Sequence, residues 1–465
     1  MKHGLTYLAV LLAAAVPAAA QPPAGAQPVK LTLSPAAAPS PALKYELLPE
    51  LKDQTPGNAA LEYYRAFSPE WWGHIQQPKT QELISNALQV PLEDLPKELN
   101  WVLNNHMLQQ VDLAARREYC NWGMAERLRR EGIGLLLPDV QSLRQIAALL
   151  AVRARLEIAE GRYDKALYTL QTGFSLGRAS GNGVILIQDL VGMAVTGLMI
   201  DRLTELVQQP GAPNLYWALT NLPQPFFDLR TAFQGEKLWL FVSLPGLRDI
   251  ETGRLPPQQL QNLMNAYTLI VDGRKATASE RLEVTVFVLR AYPEAKRALI
   301  AEGRKPEEVE ALPALQVVLI QSLHQYQRLQ DDLFKWYGLP YWEARPHYEQ
   351  AERRIRQARA RLEGMPFIDA LPAIQKVTAA PVRLERRVAA LRIVEAIRLH
   401  AAAHDGKLPA ALGDITEVPI PIDPMTGKPF TYQAAGDRAT LSAPPPAGEQ
   451  ANPSNSLTYE LTLRR

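Results

Sequence analysis

Apolar residues recur every three or four positions along most of the chain, and this spacing predicts a mostly α-helical protein. The clearest run covers residues 139–207, where Gly161 and the cluster Gly181-Asn182-Gly183 break the helical pattern twice. The pattern predicts three helices, over residues 139–160, 163–178 and 184–207. Because only a short turn joins the first two, we expect them to be antiparallel neighbours.

The third of these helices is apolar almost all round as far as Ile200, but Gln188 and Asp189 interrupt it. Those polar residues favour a buried central helix over a membrane-spanning one. The preceding helix carries Gly173 and Gly177 four positions apart. Small residues let two helix axes approach closely, so the sequence predicts tight packing between these helices, and Gly177→Leu should lower the melting temperature.

Further apolar spacing of the same kind predicts helices on both sides of this run. They are expected at 58–67, 81–88, 99–113, 214–222, 226–244, 258–271, 279–302, 315–336, 348–364 and 381–404. Residues 42–51 alternate enough for a short strand or an extended arm, and the aromatic, proline-bounded segment 338–346 is expected to be ordered against the body of the protein. After Lys407 the pattern changes, and the runs 430–433, 439–442 and 456–463 predict a small antiparallel sheet.

The predicted fold class is therefore mostly α, an irregular antiparallel stack of helical hairpins, similar to an α-solenoid, with a small C-terminal α+β module. Composition and breaks divide the chain into five segments. They are a signal peptide at 1–20, an Ala/Pro-rich linker at 21–44, an N-terminal helical domain at 45–213, a second helical region at 214–380, and a C-terminal helix with a β module at 381–465.

The first twenty residues are typical of a secretory signal peptide. Lys2 and His3 precede an apolar stretch over residues 5–16, and Ala18-Ala19-Ala20 offers a small-residue cleavage site. The stretch is shorter than the about 20 residues that a spanning helix needs, which favours a cleaved signal peptide over the alternative, a retained N-terminal anchor. The sequence therefore predicts a secreted or periplasmic protein with no integral membrane span once this segment is cleaved.

Charge and cysteine usage exclude several classes of protein. Lys and Arg number 50 against 48 for Asp and Glu, so nothing in the net charge demands nucleic acid, and Glu alternates with the Arg-rich stretches at 353–361 and 383–392. Cys120 is the single cysteine, so an internal disulfide is excluded and stability must come from core burial. Its apolar and aromatic neighbours favour a buried structural thiol.

The string Gly173-Phe174-Ser175-Leu176-Gly177 matches the G-x-S-x-G pattern of a nucleophile elbow. That chemistry requires a strained turn between a strand and a helix, which exposes the serine beside an oxyanion hole. Here the string lies inside a predicted helix. We therefore interpret it as a packing motif and assign no catalytic residue.

His400 and His404 lie four apart on a predicted helix, so both imidazoles could face one metal ion, with Asp405 adjacent. A zinc site needs a third protein ligand, and Ala401 stands where the H-E-x-x-H motif has Glu. The pattern favours capping of a helix C-terminus over metal binding. No cofactor is assigned, and the two histidines remain candidates for a metal.

The hairpin at 139–178 resembles a tetratricopeptide repeat. The matching residues are Ala154, Gly161, Tyr163, Ala166 and Leu170. Gly173 stands where the family usually has Ala, Arg153 where it has an apolar residue, and no Pro closes the unit. No second copy follows at the 34-residue spacing, so the resemblance implies one helical hairpin and not a repeat array.

The segment 399–443 resembles the C-terminal module of uncharacterised exported bacterial helical proteins of planctomycete type, and loosely the globular part of type II secretion pseudopilins. The residues that carry this likeness are Leu408, Pro409, Leu412, Asp423, Pro424, Gly427, Pro429, Phe430 and Tyr432. The chain lacks a pilin helix and a prepilin cleavage site. A metal at the Asp423 turn is therefore not carried over from the pseudopilins.

These observations favour a non-enzymatic scaffold or protein-interaction protein of the cell envelope. Its expected partner is another envelope protein or a peptide, and not nucleic acid. The alternative is a periplasmic hydrolase or another metal-dependent enzyme that uses His400 and His404.

Overall fold

The computed structural model describes residues 28–67, 69–131, 139–272, 277–361, 367, 371 and 374–464. The predicted signal peptide lies outside the described residues. The chain forms two compact units. Among the described residues, we call 123–131 with 230–378 the helical unit, and 28–122, 139–229 and 379–464 together the mixed unit.

The described chain is mostly helical, with a small sheet near its C-terminus, as the sequence predicts. In chain order the α-helices are α1 (Ala59–Ala66), α2 (Pro69–Ile75), α3 (Pro78–Ala87), α4 (His106–Ala115), α5 (Met124–Glu131), α6 (Asp139–Ala159), α7 (Tyr163–Ser180), α8 (Leu186–Leu206), α9 (Tyr216–Thr220), α10 (Arg230–Ser243), α11 (Pro257–Asp272), α12 (Ala278–Ala301), α13 (Pro306–Glu310), α14 (Ala314–Phe334), α15 (Tyr341–Arg361) and α16 (Ile374–Ala403). The strands are β1 (Val29–Leu33), β2 (Thr55–Asn58), β3 (Arg117–Tyr119), β4 (Thr431–Ala435), β5 (Arg438–Ala443) and β6 (Leu457–Leu463).

Two helices extend beyond their predicted starts because proline does not end them. α15 contains Pro346 and begins at Tyr341, before the predicted start at Tyr348, and α16 contains Pro381, seven residues after its start at Ile374. A proline inside a helix costs about 3 kcal/mol through a lost hydrogen bond and a clash. Buried residues on both sides of each proline, such as Ala344 and Tyr348, offset that cost through packing.

The predicted hairpin and the buried third helix are confirmed as α6, α7 and α8. Gly161 takes a φ of 69° in the turn between α6 and α7, a left-handed conformation that glycine adopts without a steric penalty. α7 and α8 approach so closely that a Cβ atom on Gly192 would lie 2.5 Å from the carbonyl oxygen of Gly177. The glycines of the G-x-S-x-G string are therefore packing residues.

Two glycines on α8 give a matched test of this close packing. We expect Gly192→Ala to lower the free energy of unfolding by about 2–3 kcal/mol, because its Cβ would also meet the backbone nitrogen of Gly181 at 2.7 Å. Gly197→Ala should instead gain up to about 1 kcal/mol from helix propensity, since its Cβ would have no neighbour nearer than 3.6 Å. Urea unfolding followed by circular dichroism measures both, and equal midpoints for the two variants would contradict the packing.

A buried polar network explains why Arg153 occupies a position that is apolar in tetratricopeptide repeats. Its guanidinium donates to both carboxylate oxygens of Asp112 at 2.7 and 2.9 Å and to the Thr169 hydroxyl at 2.9 Å. Thr169 in turn donates to Glu157 at 2.6 Å. The arginine thus links α6 to α4 and α7, and its charge is compensated inside the mixed unit.

The predicted C-terminal sheet is confirmed and gains a strand. β4, β5 and β6 pair antiparallel, and β1 pairs parallel with β6 to give the order β1-β6-β5-β4. β1 lies in the segment predicted to be a linker, 21–44, because its surroundings are rich in Ala and Pro. Alternation inside VKLTL overrides that composition, since Leu31 and Leu33 are both buried. Residues 42–51, a predicted strand or arm, form no strand.

The sheet packs on the C-terminal half of α16 in one apolar core. Ile393, Ile397 and Ala401 of the helix pack there with Leu441 and Tyr459 of the sheet. This core fixes the end of α16 and the loop that follows it.

Among the described residues, no helix has an apolar stretch long enough to cross a bilayer.

Candidate metal centre

The last turns of α16 bring the two predicted histidines together. His400 and His404 stack with ring centroids 4.0 Å apart and ring planes inclined by 23°. α16 ends at Ala403, directly before His404, and Asp405 and Gly406 then take positive φ values of 52° and 70°, while the Gly406 N–H donates to the Ala401 carbonyl. The C-terminus of a helix carries partial negative charge, so a cation at this end is electrostatically favoured.

Glu417 supplies the third group, from the loop between α16 and β4. Its neighbours Ile415 and Val418 are buried in the core formed by α16 and the sheet, and the Tyr216 hydroxyl donates to the Pro419 carbonyl. These contacts hold the loop against the end of α16. The Glu417 carboxylate therefore faces both imidazoles on a backbone that is fixed by packing.

The three side chains place their ligand atoms at metal-binding separations. Oε1 of Glu417 lies 3.1 Å from Nε2 of His404 and 3.4 Å from Nδ1 of His400. All three atoms lie within 4.8 Å of one another. Ligands at about 2.0–2.1 Å around a tetrahedral zinc ion are separated by about 3.3 Å. Only small side-chain movements are needed for these atoms to surround such an ion.

His400 provides a second observation that points to a missing ligand. Its side chain is 9% exposed, and its Nδ1 is buried without a hydrogen-bond partner. Oε1 of Glu417 lies 3.4 Å from this nitrogen. A buried ring nitrogen that lacks a partner is costly, and a metal ion at this point would satisfy it.

The charge of Glu417 suits a metal ligand. Partial burial by itself raises the pKa of this carboxyl, but backbone N–H groups at Thr416 and Glu417 and the charge of His400 outweigh it and lower the pKa below its ordinary value. The group is therefore ionised at neutral pH, the form in which a carboxylate binds a metal ion.

The donor set indicates the class of metal. Two imidazole nitrogens with one carboxylate oxygen suit zinc, and also copper or nickel, whereas calcium and magnesium prefer sites made of oxygen ligands. Two histidines with one glutamate are a ligand set that catalytic zinc sites use. The other predicted neighbour, Asp405, ends the helix and does not belong to the described group of three.

The other candidates from the sequence have structural roles. Ser175 lies within α7, not at a strand-to-helix turn, so the nucleophile elbow is excluded by geometry. Burial raises the pKa of the Cys120 thiol to about 12, so it stays protonated at neutral pH. That state fits the structural thiol expected from the sequence.

The Asp423 carboxylate, in the turn that forms part of the likeness to exported proteins, is held by hydrogen bonds from within the chain. It accepts hydrogen bonds from Arg386 and the Thr426 hydroxyl, both at 2.8 Å, and from the Met425 N–H at 3.0 Å. Asp423 is 1% exposed. These three bonds occupy most of the acceptor sites of the carboxylate, and they fix the turn before β4.

Sequence reasoning missed Glu417. It lies thirteen positions after His404, and the intervening residues include a turn and a short 3-10 segment at Leu412–Asp414. No standard metal-binding motif has this spacing. An acidic residue among the apolar residues 415–420 was the one available signal.

Comparisons of the chain with protein-family models, with curated proteins and with solved structures gave no match.

Proposed function

We propose that this chain is an exported protein of the cell envelope whose C-terminal module binds a transition-metal ion of the zinc class. The ligands are His400, His404 and Glu417. The observation that supports the proposal is their convergence within 4.8 Å around the buried, unpartnered Nδ1 of His400. Glu417 is the third ligand that no sequence pattern identified, and its position beside the two histidines favours metal binding over capping of the helix C-terminus.

Replacement of the ligands one at a time tests the proposal. Glu417→Gln keeps the size of the side chain but removes its charge, and we expect it to weaken zinc binding by at least about 10–100-fold, the loss that follows removal of even an outer-shell partner. His404→Ala should do the same. Isothermal titration calorimetry of the full chain measures the affinity.

The exposed His106, on α4 of the same unit, gives a matched control. His106→Ala should bind zinc as the unsubstituted chain does. If Glu417→Gln and His404→Ala bound zinc as tightly as His106→Ala does, Glu417 and His404 would not be ligands.

An exposed apolar face in the helical unit favours a second candidate function, a scaffold that binds an envelope protein or a peptide. Leu282, Val286 and Leu289 lie at helical spacing on α12 and are 66%, 39% and 68% exposed. Val288, on another face of this helix, is buried. Apolar residues in a row on a helix face are typical of an interaction surface.

Charged substitutions on that face separate folding from association. Leu282→Glu with Leu289→Glu should change the free energy of unfolding by no more than about 0.5 kcal/mol per site, as is usual for exposed positions. The same variant should not cross-link to an envelope protein that the unsubstituted chain captures. Unchanged cross-linking would remove the support that this face gives to a scaffold.

A further inference from the structure

We infer that the metal ion at this centre keeps a solvent-facing coordination position and binds a small oxyanion there in exchange for water. This inference rests on the proposed function, because it requires that His400, His404 and Glu417 bind a metal. The ion would then act as a Lewis acid with an exchangeable ligand, and not as a structural ion whose coordination is completed by protein ligands.

The number of protein ligands indicates that one coordination position is open. Within the described part of the chain, the convergent group has three members, each offering one ligand atom. A structural zinc site closes its tetrahedron with four protein ligands, whereas an open site has three and leaves the fourth position to water or substrate. The fourth ligand therefore has to come from outside this group.

Exposure of the side chains gives the direction of the open position. The His400 side chain is 9% exposed, while those of Glu417 and His404 are 23% and 51% exposed. The ion would thus have the buried ring of His400 on its inner side and solvent beside the ring of His404. A ligand can reach it from solvent without any movement of the core.

Charge determines the class of ligand. A divalent ion with two neutral imidazoles and one carboxylate retains a net charge of about +1, because only Glu417 contributes a negative charge. Such a centre prefers an anion to a neutral ligand. Because the site is open to solvent and the ion is a hard-to-borderline acid, a carboxylate or phosphate oxygen fits it, and so does hydroxide formed from bound water.

Cobalt substitution tests the open position. Co²⁺ takes zinc sites and has visible absorption bands that respond to a change of ligand. We expect Co²⁺ to give such bands with the full chain but not with Glu417→Gln. Titration with sodium acetate, and separately with inorganic phosphate, should then shift the bands saturably with one anion per cobalt.

The outcomes distinguish the two claims. If no bands form with the unsubstituted chain, the proposed metal site itself fails. If bands form but neither anion changes them, the site is closed and the present inference is overturned while metal binding stands. A change of the anion-free spectrum in Asp405→Asn would likewise overturn it, since Asp405 would then be the fourth ligand.

Discussion

Replacement of Glu395 by alanine is expected to lower the free energy of unfolding of the mixed unit by about 3–5 kcal/mol, the usual cost of breaking a buried ion pair. Glu395 and Arg398 are both fully buried, and the carboxylate accepts from Nη1 of the arginine at 2.9 and 3.0 Å. Without Glu395, the guanidinium remains inside the core as an uncompensated charge.

The rest of the arginine's contacts explain why the pair is kept. Its guanidinium also donates to the carbonyls of Ser34 at 3.0 Å and Ala212 at 2.7 Å. It therefore ties the chain after β1 and the loop after α8 to α16, the helix that carries His400 and leads directly into His404. Unfolding in guanidinium chloride, followed by circular dichroism, measures the loss of stability in Glu395→Ala.

An exposed ion pair in the same unit is the control. Glu50 pairs with Lys52 at the surface, where the lysine side chain is 75% exposed. Glu50→Ala should cost no more than about 1 kcal/mol. A loss of similar size in the Glu50 and Glu395 variants would show that burial of the second pair does not matter.

Stability of the mixed unit is also expected to fall as the pH rises from about 4 to about 7, because of Asp189. This carboxyl is 0% exposed, and burial raises its pKa to about 7, although the N–H of Asn182, at 2.6 Å, opposes the rise. Its Oδ2 is buried without a partner. Across this window the folded chain holds one proton that the unfolded chain has lost.

The direction and the size of this pH effect on stability follow from the difference of one bound proton between the folded and the unfolded chain. The stabilisation is fully present below the unfolded pKa of about 3.9 and is lost as the pH passes through the folded value, by up to about 4 kcal/mol at 1.36 kcal/mol per unit. Asp189→Asn keeps the acceptor for Asn182 and cannot ionise. The variant should gain stability relative to the unsubstituted chain between about pH 4 and pH 8. A difference that is constant with pH would contradict the buried, protonated carboxyl.

Local pattern was enough to predict much of the fold. The three helices α6, α7 and α8 were predicted because an apolar stripe and glycine breaks act within one stretch of sequence. The strands β4, β5 and β6 were predicted from alternation and turn residues. By contrast, β1 was hidden by its Ala/Pro-rich surroundings, because its pairing with β6 joins residues more than 400 positions apart.

The candidate site was predicted only in part, because local pattern reveals two of its three residues. His400 and His404 are brought together by the helix period alone, so their spacing reveals them. Glu417 reaches them only because burial of Ile415 and Val418 docks a loop on α16. That docking depends on tertiary packing, which no local pattern expresses.

If His400, His404 and Glu417 hold one metal ion, as proposed, the metal content of the purified full chain will show it. After equilibration with zinc and removal of free metal, elemental analysis should find one zinc ion per chain. The His404→Ala variant, prepared in parallel, should hold none. No zinc in the unsubstituted chain, or an equal amount in both proteins, would contradict the claim.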